Sequence, residues 1–341
     1  MLRLPSLPLV AACLVLALPV VAVRGQSRQA SEAQSRDHDG RGALAILRRD
    51  GLLVPFASFD RDSWRVTWPL RVSPATAVPV TREAIPEDWW GTRTPNQWRA
   101  YLPDGTETFP ELGVPSVFGA FCQPRIGIRT SYRSARQLPP TSIDPFPKDG
   151  VAISGGVPLE PIETVKSTAP EWSTMASELL PEFDRVEDRT IGDVRSMAHW
   201  RHPHPDKVRH ALPIRLESWY RAPGDEPGSV VSYIEASRPY PPGPSDEGCG
   251  LETLVSGWLY HRDGKLAKVK NLRGKLTYCD RYGVTYMLPF GRVRPNKTTY
   301  WVFQLSGWES EWYEVVATRR DSIRYALEVA VGGIGACRIR R

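Results

Sequence analysis

Apolar and polar residues alternate along most of this chain, and alternation with a period of two predicts strands. The segment 44–59 carries two apolar runs separated by Asp50-Gly51, a pair that favours a tight hairpin. Trp64-Arg65-Val66-Thr67-Trp68 alternates as a half-buried strand does. A second hairpin is predicted around Pro103-Asp104-Gly105, between residues 98–102 and 106–109, and another strand over 126–132. From residue 211 onward the pattern is again of strands: 213–220, 230–237, 251–261, 265–269, 275–279, 285–289, 299–305, 312–318 and 324–331. Turn signals rich in Gly, Pro, Asp and Asn separate them.

One segment breaks this rhythm. Trp172, Met175, Ala176, Leu179, Phe183 and Val186 recur at three- and four-residue steps, which predicts an amphipathic helix with a core-facing stripe. Pro181 lies inside it and predicts a kink or the start of a second short helix. Residues 137–165 are rich in proline, which excludes regular helix over most of that length and predicts a surface connector with one short strand at 151–154.

These elements give a mainly β fold: antiparallel sandwich or barrel-like sheets, with a short helical segment between two β regions. The predicted organisation is a signal peptide over 1–25 and a flexible linker over 26–42. An N-terminal β domain follows over 43–136, a Pro-rich connector with short helices over 137–190, and a C-terminal antiparallel β domain over 191–341. The linker holds almost no large apolar residue and has little surface to bury against its ordering entropy.

Charge and composition narrow the function classes. Arg3 and an apolar run to Val23, followed by Val23-Arg24-Gly25, have the parts of a secretory signal. Cleavage after Gly25 lowers the formal charge from +6 to +4 and leaves no basic block for nucleic acid. No later apolar run is long enough to span a membrane. The expected location is therefore periplasmic or extracellular. Cys122, Cys249, Cys279 and Cys337 remain after cleavage, an even count that predicts two disulfides with three possible connectivities.

Several chemistries have no motif here. The chain lacks a P-loop, an H-E-x-x-H pair, a G-x-S-x-G elbow and any C-x-x-C spacing, so no cofactor is expected. Three features carry candidate function. The run 298–316 is dense in aromatics, and Trp308, Trp312 and Tyr313 follow a turn where rings can face a sugar or an apolar ligand. The acids Glu309, Glu311 and Glu314 lie beside these rings. Paired carboxylates can cleave a glycosidic bond, with Glu309, Glu311 or Asp280 as candidates. The stretch AHWRHPHPDKVRH holds His199, His202, His204 and His210. Imidazoles bind transition metals, yet the proline after His202 and after His204 favours extended backbone, and no spacing forces the rings together.

The sequence thus leads first to a non-enzymatic binding or structural module, with a glycan, peptidoglycan or envelope protein as partner. The alternatives are a cell-wall or polysaccharide hydrolase and a metal-binding exported protein.

Overall fold

The computed structural model describes residues 40–66, 98–102, 104–120, 123–140, 146–198, 200–242, 250–278, 286–306, 310–319 and 322–333. The predicted signal segment and all four predicted disulfide cysteines lie outside these residues.

The fold is mainly β, with antiparallel sheets and one long helix between strand regions. A curled eight-stranded sheet, sheet A, is built from β1 (Arg41–Arg48), β2 (Leu52–Asp60), β3 (Ser63–Val66), β4 (Arg99–Tyr101), β5 (Glu107–Thr108), β6 (Leu112–Ala120), β7 (Gln123–Thr130) and β8 (Lys148–Ile153). Two five-stranded sheets follow. Sheet C joins β10 (Glu163–Thr164), β11 (Arg215–Pro223), β12 (Ser229–Pro239), β13 (Leu251–Arg262) and β14 (Lys265–Tyr278). Sheet B joins β9 (Leu159–Glu160), β15 (Tyr286–Val293), β16 (Thr299–Ser306), β17 (Ser310–Arg319) and β18 (Ser322–Gly333).

The predicted hairpin at Asp50-Gly51 joins β1 to β2, and Gly51 takes φ 77°, a conformation a side chain disfavours. The turn at Asp104-Gly105 joins β4 to β5, with Ala100 opposite Thr108. The two strands expected at 265–269 and 275–279 are one long strand, β14, that bends at irregular steps in its pairing with β13. Asn271 there takes φ 52°, the left-handed region.

The sheets stack because central strands such as β1 and β16 are apolar on both faces. In β1, Leu44 and Ile46 point toward sheet B, while Ala43, Ala45 and Leu47 point to a second cluster with Trp98, Ile126 and Ile128. In β16, Tyr300 and Val302 meet sheet A, and Trp301, Phe303 and Leu305 meet sheet C. The ring of Trp64 lies 5.0 Å from that of Tyr300 across the first seam, and Trp258 lies 5.1 Å from Trp301 across the second. A strand buried on both sides reads as a continuous apolar run, as 300–303 does.

Helix α1 (Glu171–Ala198) covers the remaining face of sheet C. Met175, Leu179, Phe183 and Val186 are buried against Leu216, Trp219, Ile234, Val255 and Leu272. Pro181 does not divide the helix. It is exposed, on the side of the helix away from the packed stripe, which is continuous. Among the described residues, no helix is long and apolar enough to cross a membrane.

The proline-rich connector has an architectural role. Within residues 148–164 it adds β8 to sheet A beside β1, β9 to sheet B beside β15, and β10 to sheet C beside β11. None of these three short strands has a clear alternating pattern: β8 ends in three consecutive buried residues, and β9 and β10 hold two residues each.

Candidate functional site

A cleft of about 360 Å3 opens at the seam between sheets B and C. Strand β12 supplies Tyr233 and Glu235, and β11 supplies Glu217. Strand β13 contributes Ser256 and Trp258, and β14 contributes Asn271, Arg273 and Lys275. From sheet B come Trp312, Glu314 and Tyr325.

Strand geometry decides which residues of the aromatic run reach this cleft. Side chains on β17 alternate between faces. Trp312 and Glu314 point to the cleft, while Glu311 and Tyr313 point to the seam with sheet A. The expected ligand face of Trp308, Trp312 and Tyr313 is therefore split. Tyr313 is 3 % exposed, its ring is 4.7 Å from that of Phe56, and its hydroxyl donates to Glu311 at 2.6 Å. Trp308 lies outside the described residues.

Glu311 is likewise not a cleft acid. It is 3 % exposed and accepts from Lys148 Nζ at 2.5 Å and Gln304 Nε2 at 3.1 Å, so its charge is neutralised within the seam. Glu309 and Asp280, the other candidate catalytic acids, lie outside the described residues.

Glu314 occupies the position that the acidic pattern hinted at. It is 7 % exposed and lines the cleft. Its Oε1 accepts from the Trp312 indole N–H at 3.2 Å. Its Oε2 is buried and has no hydrogen-bond partner among the described residues. Burial pushes the Glu314 carboxyl above the ordinary glutamate value. The Trp312 N–H and the Arg273 charge oppose that rise, and the charge of Glu328 adds to it. A buried ionisable group with a raised pKa in a cleft has the mark of a functional position. Glu235 differs: its oxygens accept from the Ser218 hydroxyl at 2.7 Å and the Tyr233 hydroxyl at 3.4 Å. At the rim, the Arg273 guanidinium lies over the Tyr325 ring at 5.3 Å.

The histidine stretch leads elsewhere. The residues after α1 form a strap, with the short helix α2 (Asp206–Arg209), that ties the end of α1 to sheet C. Arg238 of β12 is fully buried and donates to Glu187 Oε2 and Asp184 Oδ1, both at 2.6 Å. Arg209 is 2 % exposed and donates to Asp188 at 2.6 Å, Asp206 at 2.8 Å and the His204 carbonyl at 3.1 Å. The Tyr240 hydroxyl donates to Glu187 and pairs with Thr253 Oγ1 at 2.6 Å.

Among the described residues, the imidazoles do not converge on one point. The rings of His202 and His204 lie 4.5 and 5.7 Å from the Tyr240 ring, whereas His210 Nε2 is 3.1 Å from Asp188 Oδ1. His199 lies outside the described residues. Ligand atoms of Asp184, Glu187 and His210 fall within 4.8 Å of one another, a metal-like spacing. The two arginines already neutralise both carboxylates, so the charge that a metal would supply there is in place. Burial, with the Arg209 charge beside it, pushes the His202 imidazole down to about 4.

Glu217, Glu235, Arg273 and Tyr325 had no signal in the sequence, because they come from four different strands of two sheets and share no spacing in the chain. Glu314 had one: a residue two positions from Trp312 shares its face. Compared with known proteins, the chain matches no family model, no curated protein and no solved structure.

Proposed function

We propose that this protein is an exported binding module of the periplasm or extracellular space that takes a carbohydrate into the cleft between sheets B and C. The N-terminal sequence supports export. One observation carries the rest: the cleft brings part-exposed aromatic rings, Trp312 and Tyr325, together with the carboxyl groups of Glu217, Glu235 and Glu314. Sugar rings offer apolar C–H faces for stacking and hydroxyls for carboxylate acceptors, so both parts of the lining are used. The cavity volume falls in the range of roughly 300–1,000 Å3 typical of small-ligand sites.

The test is a glycan and peptidoglycan binding screen of residues 26–341, with Trp312→Ala as the control. Binding that Trp312→Ala weakens supports the reading. Binding that is untouched by the substitution, or no binding to any glycan, overturns it.

A second reading, hydrolysis of a polysaccharide, is favoured by the raised pKa of Glu314, which suits a general acid. Against it, Glu235 is held by Ser218 and Tyr233, an arrangement that favours holding a ligand over activating water. Release of reducing sugar from a bound polysaccharide, abolished by Glu314→Gln, would favour hydrolysis.

A further inference from the structure

We infer that the deepest group of the ligand is a protonated amine, so that the cleft selects amino sugars, with Glu314 Oε2 as the acceptor that reads the amine. This rests on the carbohydrate reading above and names the class of sugar.

The lining is graded from inside to outside. The deep residues are Trp258, Tyr233 and Glu314, at 1, 5 and 7 % exposed. The basic residues Arg273 and Lys275 and the amide of Asn271 are exposed at the rim. Positive charge therefore stands outside, and the deep end offers a carboxylate beside aromatic rings. Aromatic faces attract cations, and a carboxylate next to them adds charge and a directed acceptor.

Glu314 Oε2 strengthens the case. A buried acceptor without a partner costs free energy, and a ligand donor that reaches it recovers that cost. A hydroxyl can donate, but an ammonium also neutralises the charge that burial disfavours. Trp312 fixes the other oxygen, so Oε2 is the atom left to the ligand. The exposed Asn271, Arg273 and Lys275 then meet the hydroxyls of the same sugar.

The experiment measures binding of three oligosaccharides of equal length to residues 26–341: a glucosamine oligomer, its N-acetylated counterpart and a cello-oligosaccharide. Tri-lysine is a fourth ligand. The expected result is tightest binding of the glucosamine oligomer. Glu314→Gln keeps shape and an acceptor but removes the charge. It is expected to cut that affinity roughly tenfold, as loss of a charge-assisted bond does, and to weaken the cello-oligosaccharide, whose hydroxyls keep a neutral acceptor, by a clearly smaller factor. Equal binding of all three sugars overturns the amine assignment and leaves the carbohydrate reading standing. Binding of tri-lysine in place of the sugars overturns both, as does binding of none. The wild-type comparison stands without any variant.

Discussion

Protonating His202 works against the folded state. Its imidazole is held near 4 by burial and by Arg209, against about 6.5 for the free side chain. Between those values the unfolded chain binds a proton that the native chain refuses. Stability from this site is therefore complete above pH 6.5 and is lost as pH falls toward 4. The shift corresponds to about 2–3 kcal/mol at pH 4.5, which solvent screening of this partly buried ring reduces to about 2 kcal/mol or less. In His202→Asn the side-chain oxygen can replace Nδ1 as acceptor for the His204 N–H, which the native ring accepts at 3.0 Å. Urea unfolding at pH 7.5 and 4.5 is expected to show a smaller acid loss for the variant; equal losses would sink the idea. Glu187 gives a second residue-scale outcome. It is fully buried and takes charge from Arg238, lies 3.5 Å from Arg209 Nε, and accepts from the Tyr240 hydroxyl. Glu187→Gln removes the fully buried counter-ion that Arg238 and Arg209 share and leaves them only the more exposed Asp184, Asp188 and Asp206, so it is expected to cost about 3 kcal/mol, read from the urea midpoint. A cost under 1 kcal/mol would mean that the strap carries little of the fold's stability.

Helix α1 and strand β14 meet where the strand has no side chain. A Cβ added at Gly274 would stand 2.1 Å from Thr190 Oγ1 and 3.0 Å from Val186 Cγ1, both on α1. Gly274→Ala must then push the helix from the sheet, at a cost of about 1–3 kcal/mol typical of overpacking. Adding Thr190→Ala removes the closest contact and is expected to restore part of that stability in chemical denaturation; a double variant no better than the single would refute the steric cause. No periodicity marks Gly274 as a contact point, since glycine adds nothing to an apolar stripe. The helix itself was legible, because its six apolar positions keep one face through a proline. The long strands were legible for the same reason, with β14 split in the reading by its polar centre, Lys270-Asn271. Strands β9 and β10 were not, because two residues are too few to show any period. They form only because neighbouring sheet edges, β15 and β11, accept them.

At the scale of the molecule, the decisive feature is the sharing of sheet B. Its β16 presents Tyr300 and Val302 to sheet A and Trp301 and Phe303 to sheet C, with the connector paired to all three sheets. Such sharing is invisible in a linear pattern, where an apolar run reports burial but not which partner covers each face. The cleft is hidden for the same reason: its acids meet only because two sheets stack. The sheets are expected to unfold together, since neither face of β16 is covered without the other. Leu44→Ala removes a fully buried side chain from the seam of sheets A and B, and Phe303→Ala removes one from the seam of sheets B and C. Each is expected to cost about 2–5 kcal/mol. For a chain of this size that corresponds to a fall in Tm of roughly 3–8 °C. Calorimetry of residues 26–341 checks the coupling: both variants should shift one and the same transition. Two transitions, with Leu44→Ala moving one and Phe303→Ala the other, would show that the sheets fold as separate units despite their common strand.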